Sequence, residues 1–142
     1  MFSAPMKVYA LAATIVGLHM LLLALWTGTV RTQRKVFVNP EDAKLSNGTA
    51  ADADHPDVLR VKRAHQNLLE NAIPFFGIGL LFALTNPSVT SARAYCFTFV
   101  GARVLHTIFY LLQKQPFRTL MFAVGVLTTF GMAYHVIRAA VG

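Results

Sequence analysis

The 142-residue chain is 55% hydrophobic with a net charge of +7 and a mean hydropathy of +0.51. That is one domain's worth of chain with more apolar content than a soluble domain carries, so it reads as a membrane protein. No compact basic face, zinc-ligand spacing or aromatic RNA-binding motif organises the positive charge for nucleic acid, and the single cysteine, Cys96, excludes an intrachain disulfide and a cysteine-rich metal site.

Residues 8–30 form an uncharged run of bilayer-spanning length, which predicts a first transmembrane helix. A cleaved signal peptide is the competing reading, but its apolar core is shorter and ends in small residues, whereas this run leads directly into Arg31, Arg34 and Lys35. A lone mid-span histidine, here His19, more often bonds a neighbouring helix than binds a ligand, and it is left out of the site. Residues 31–60 turn polar. Asn39-Pro40-Glu41-Asp42 has the composition of a helix start, with Asn39 as cap and Pro40 in the first turn, and residues 46–54 have loop composition. Asn47-Gly48-Thr49 matches a glycosylation sequon by pattern only, and the charge bias places it on the wrong side of the membrane.

The second span, 67–85, belongs to a helix that starts near Pro56 and contains Pro74, which removes one backbone hydrogen bond. Arg63, Gln66, Asn67, Glu70 and Pro74 recur at spacings of three and four and share one face. Glu70 is the only acid outside residues 41–57, and an ionisable group within a span is a functional candidate by default. The third span, 92–112, carries a similar stripe of Arg103, His106, Thr107 and Tyr110. After a break at residues 113–116 the fourth span covers 117–141, with Arg118 in its first turn.

The first loop and its flanks hold Arg31, Arg34, Lys35, Lys44, Arg60, Lys62 and Arg63, and the third loop holds Lys114 and Arg118. The opposite side has only Lys7, Arg93 and Arg138. The positive-inside rule therefore puts the two rich loops in the cytoplasm and both termini across the membrane. This orientation brings the polar groups of all four spans to one depth. A bland reading is an internal salt bridge such as Glu70 with Arg103, yet one acid cannot neutralise so many arginines. The excess predicts an anionic ligand whose carboxylates arginine grips in bidentate fashion.

RxxRAHxNxxEN at residues 60–71, NPED at 39–42, GARxxHTxxY at 101–110 and QPxR at 115–118 together resemble the MAPEG family of membrane-associated eicosanoid and glutathione proteins, over nearly the whole chain. ENAIPFFGIGLLFAL and FVGARVLHTIFYL look most like its microsomal glutathione transferase branch, with the prostaglandin E synthase branch close behind. The resemblance implies a single domain, 1–142, forming an all-α four-helix bundle that assembles as a homotrimer, with glutathione between subunits near the cytoplasmic face. It implies an integral multi-pass protein of a bacterial inner membrane or endoplasmic reticulum. By motif match, Arg31, Arg63, Asn67, Glu70, Arg103, His106 and Tyr110 become glutathione contacts, Arg118 the thiolate stabiliser and Thr119 a hydroxyl donor.

The implied activity is a glutathione transferase or peroxidase acting on a lipophilic electrophile that enters from lipid along spans one and four. The transferase branch has cysteine where this chain has Ala43, so activation through that thiol is not available here. The prostaglandin synthase branch has arginine and tyrosine where this chain has Gln66 and Phe122, which weakens the isomerase alternative. A non-catalytic lipid-binding relative would have eroded arginines. A purely structural or proton-conducting bundle is the remaining class.

Overall fold

The computed structural model describes residues 1–142. Its helices are α1 (Ala4–Arg34), α2 (Pro40–Leu45), α3 (Pro56–Leu84), α4 (Val89–Leu111) and α5 (Phe117–Val141). Helices α1, α3, α4 and α5 are long and apolar enough to cross a membrane, which makes the chain an all-α four-helix bundle.

Capping chemistry sets several of the ends. The Ser3 hydroxyl accepts from the Met6 amide at 3.4 Å and Pro5 occupies the first turn, so α1 begins ahead of the apolar run that starts at Val8. Lys35 ends α1 in the left-handed region, at φ 54°, with its amide bonded back to the Arg31 carbonyl. Ser88 caps α4 by accepting from the Ser91 amide at 3.1 Å, and that helix likewise starts before residue 92. Pro74 lies inside an α3 that continues on both sides of it.

Successive long helices run in opposite directions, so the N-terminus, the C-terminus and the α3–α4 turn share one end of the bundle. Both other connections share the opposite end, called here the loop end. Helix α1 packs on α3 and α4, α5 packs on α3 and α4, and α1 does not reach α5. The core between them is apolar and tight. Phe75 and Phe99 stack nearly parallel with centroids 4.1 Å apart. Gly79 lets the Tyr9 ring lie against α3, where a Cβ would sit 3.1 Å from it, and the Tyr9 hydroxyl donates to the Phe76 carbonyl at 2.8 Å. Leu18, Leu22, Leu25 and Trp26 of α1, with Leu127, Phe130 and Ile137 of α5, are turned outward, as lipid contact requires.

The connection after α1 is more structured than its composition suggested. β1 (Val36–Phe37) pairs in parallel with β2 (Thr49–Ala50), and α2 is the crossover between them. Strands of two residues are too short to display an alternating pattern, so composition gave only a loop. Phe37 and Ala43 are buried beneath this cap. Gly48 is needed where the chain closes on it, because a Cβ there would lie 2.5 Å from the Phe37 ring and 2.7 Å from the Lys35 carbonyl oxygen. Helix α2 starts at Pro40 as expected, but the Asn39 side chain does not cap it. Its amide donates instead to the Asp42 carboxylate at 3.1 Å.

Asp54 fastens the cap to the bundle. Its carboxylate accepts from Lys62 Nζ at 3.0 Å and from Arg31 Nε at 3.3 Å, while its side chain is only 5% exposed. Burial raises its pKa, and the bonds and charges of Lys62 and Arg31 outweigh burial, leaving it below the ordinary carboxylate value. A pKa depressed by folding contributes stability that is present above the unfolded value, near 3.9, and is lost as pH falls through the folded value. Asp54→Asn is therefore expected to destabilise the protein by about 1 kcal/mol at neutral pH, discounted for the exposure of both cations. The gap between the thermal melts of wild type and variant should close below about pH 4. A gap of constant size across that range would rule out the ion pairs as its cause.

Candidate functional site

At the loop end, the first turns of α3, the last turn of α4 and the first turn of α5 enclose a pocket of about 410 Å³. Arg60, Arg63, Tyr110, Gln113 and Arg118 provide its polar walls, with Pro56 and Leu59 at one side. Arg60 and Arg63 reach it together because residues three apart share a helix face. Arg60 shares the Asp57 carboxylate at 3.6 Å, while Arg63 and Arg118 have no carboxylate within ion-pair distance. The Arg118 guanidinium lies over the Tyr110 ring, with Cζ 4.7 Å from the centroid. Excess positive charge in a recess at the mouth of an apolar bundle is suited to a polyanionic ligand.

Below the pocket, α4 and α5 face each other through two stripes. Phe99, Arg103, His106 and Tyr110 recur at spacings of four, three and four on α4, and Arg118, Met121, Phe122 and Gly125 at three, one and three on α5. The His106 ring lies 5.8 Å from Tyr110 and 6.3 Å from Phe122, centroid to centroid. Arg103 is 1% exposed. It donates from Nη1 to Asn67 Oδ1 at 3.4 Å and from Nη2 to the Met121 and Phe122 carbonyls at 3.0 and 3.1 Å. The ion pair with Glu70 weighed from the sequence does not form. Glu70 is exposed on α3, and its carboxylate accepts from Gln66 Nε2 at 3.0 Å.

Arg31 stands apart from the pocket. It lines a recess of about 240 Å³ with Asn39, Asp42, Asp54 and Lys62. Lys62 and Arg63 are adjacent, so their side chains leave α3 about 100° apart, and the two recesses flank the helix on different sides. One chain thus gathers Arg63, Tyr110 and Arg118 in the pocket and packs Asn67, Arg103 and His106 behind it. Arg31 and Glu70 lie elsewhere on its surface. Thr119 is exposed, and its hydroxyl donates to Gln115 Oε1 at 2.9 Å, so the hydrogen expected for a ligand is committed to that bond. Arg60, Gln113 and the Asp54–Lys62 pair were not singled out from the sequence. Only Arg60 carried a local signal, one turn before Arg63; the others are placed by tertiary contacts.

Comparison with known proteins bears on this arrangement. The MAPEG family model matches residues 9–138. Microsomal glutathione S-transferase 1 of Homo sapiens is 44% identical over 136 residues, covering 92% of this chain and 88% of that protein. The protein of the same name from Rattus norvegicus is 44% identical over 132 residues, covering 89% and 85%. Prostaglandin E synthase of Equus caballus is 34% identical over 130 residues, covering 91% and 85%. With the family model and these similarities running through all four long helices, the chain belongs to the MAPEG family.

Proposed function

We propose that the protein is a membrane-bound glutathione transferase, with peroxidase-type use of the same thiol, acting on lipophilic electrophiles. The observation that carries this reading is the pocket itself: Arg63 and Arg118, free of carboxylate partners, beside Tyr110 at the mouth of a membrane bundle. Glutathione matches that charge pattern, since its two carboxylates need cations, its ammonium needs an acid and its thiol must be held as thiolate. A free thiol with a pKa of about 8.5 is only a few per cent ionised at neutral pH. The Arg118 guanidinium and the positive end of α5 both favour the anion. Lowering the pKa by about two units corresponds to roughly 2.7 kcal/mol and leaves the bound sulfur mostly ionised at pH 7. The thiol proton passes to water. A sulfur lone pair then forms the new bond to carbon as the bond to the leaving group breaks.

The positions of Arg31 and Glu70 support a site completed by a second subunit. Glu70 is exposed about halfway along the 29-residue α3, a costly place for a carboxylate to face lipid. It is two turns below Arg63 on the same stripe, within reach of an ammonium bound beneath the pocket. Arg31 lies on the other flank, so a neighbouring chain must supply that cation. A contact between two different faces of one subunit is heterologous, and it makes a ring when its rotation closes. The family resemblance sets the ring at three. In this reading Arg31 comes from the neighbour, Arg63, Asn67, Glu70 and Tyr110 from the chain that supplies Arg118, and the loop end faces the cytoplasm.

Three outcomes are expected. Arg118→Ala lowers the conjugation rate strongly, leaves glutathione binding largely intact and moves thiolate formation to higher pH; coincident ultraviolet titrations of the bound thiol in wild type and variant would remove Arg118 from that role. Glu70→Gln weakens glutathione binding by about tenfold or more, the effect of losing one charge-assisted bond, and unchanged affinity by calorimetry in a variant of unaltered oligomeric state would exclude Glu70 as the ammonium partner. Mixed oligomers made from Arg31→Ala and Arg118→Ala subunits regain part of the activity that each variant lacks alone. No recovery on mixing would place both residues in a single-chain site.

A further inference from the structure

We propose that Arg103 and Gly125 form a lock that fixes the depth and rotation of α5 on α4, so that Arg118 is held over Tyr110. Arg103 is thereby a positioning residue rather than a glutathione ligand. The proposal rests on the reading of Arg118 as the thiolate stabiliser, and it assigns the buried arginine a different task from the one its motif implied.

The geometry has three parts. First, the guanidinium reaches across from α4 to the Met121 and Phe122 carbonyls of α5, and its other arm to Asn67 of α3. A carbonyl oxygen has two lone pairs, so each can accept this bond in addition to one within its own helix. Second, the crossing is possible only because residue 125 is glycine. A Cβ there would lie 2.6 Å from Nη2, 2.8 Å from Nε and 2.9 Å from Cζ, so the guanidinium would have to shift from its place or the two helices would have to move apart. Third, the notch and the catalytic cation share a stripe on α5. Gly125, Phe122 and Met121 stand seven, four and three residues after Arg118, just as Arg103 stands seven before Tyr110 on α4. Pinning Arg103 at Gly125 therefore sets Arg118 against Tyr110, two turns away, where the contact is 4.7 Å.

The arrangement is costly, which argues against simple adhesion. Burying a guanidinium without a carboxylate carries a desolvation penalty that an apolar side chain of similar volume would avoid. Partial compensation comes from the carbonyls and from the Phe99 and Phe122 rings, 5.9 and 5.6 Å from Cζ. Nε remains without a partner. What the arginine provides that an apolar residue cannot is directional attachment to two specified carbonyls, which resists both sliding and rotation of α5.

The test uses full-length protein labelled with 3-fluorotyrosine, the Tyr110 fluorine resonance being assigned by Tyr110→Phe and its sensitivity to the cation calibrated by Arg118→Met. Gly125→Ala is expected to move that resonance in the direction seen for Arg118→Met, without glutathione present. With glutathione bound, the midpoint of thiolate formation should rise by about one pH unit, a tenfold loss of thiolate below the midpoint, while glutathione affinity changes less. In an Arg103→Gln background, Gly125→Ala should have no further effect on the resonance. Should Gly125→Ala fail to fold, Arg103→Lys is read in the same way, since a single ammonium cannot reach both carbonyls and Asn67. A folded variant with a lower melting temperature but an unmoved Tyr110 resonance would overturn the lock and leave Arg103 an ordinary packing residue. If the resonance moves but Arg118→Ala proves not to alter the thiol titration, the lock stands and the catalytic reading of Arg118 falls.

Discussion

Positive charge has to be carried into an apolar bundle here with only one carboxylate beyond the loop region to balance it. The structure divides that load in two. Near the loop end, Arg31 and Lys62 share Asp54 while Arg34 and Arg60 share Asp57, so Asp54 fastens the cap over the bundle. Arg63 and Arg118 are left without a carboxylate partner. Deeper in, Arg103 is given backbone carbonyls, an amide oxygen and aromatic faces instead of an anion. Had Glu70 turned inward to meet Arg103, the pair would have been neutral and the outer face of α3 would have lost its mid-helix acid. Turning it outward leaves Arg103 to neutral acceptors and leaves on the surface of α3 a carboxylate that needs covering.

On the proposed reading, that division leaves the site incomplete in one chain. Polar groups on a membrane helix are tolerated where protein or water covers them, and Arg63, Gln66 and Glu70 together form an outward stripe too polar for hydrocarbon. A neighbouring subunit and a charged ligand between the two would satisfy it at once. Such a contact would also couple assembly to binding, because each would remove the cost that the other leaves.

The polar stripes were legible from spacing alone. Arg63, Gln66 and Glu70 do share a face of α3, and Arg103, His106 and Tyr110 share one of α4, as helical periodicity requires. Spacing gives direction relative to a helix axis, however, and not the identity of what lies opposite. Hence the sequence could not distinguish an inward Arg103 with Asn67 from an Arg103 paired with Glu70. Gly125 looked like one more small residue of an apolar span until the guanidinium lying on it was known. The β1–β2 pair and the Asp54 contacts depend on residues brought together around α2, where no periodic pattern exists to read. Helix starts at Ala4 and Val89 fell ahead of the apolar runs because capping serines, not hydrophobicity, decide where a helix begins.

The two substrates of the proposed reaction have to approach from different media. Glutathione is polar and on this reading would reach the pocket from water, where α3, α4 and α5 open at the loop end. A lipophilic electrophile is dissolved in the bilayer and must arrive sideways. Helices α1 and α5 present the outward apolar surfaces of the bundle yet do not touch within a subunit. In a head-to-tail ring, the α1 flank that bears Arg31 would be carried towards the α5 that bears Arg118. The sulfur would then lie where an apolar seam between chains ends at a cationic pocket. Entry through such a seam selects by partition into lipid rather than by specific hydrogen bonds, since the outward side chains of α1 and α5 are almost entirely hydrocarbon. Broad acceptance of apolar electrophiles, with strict demands on the thiol alone, is the specificity this division of surfaces would confer.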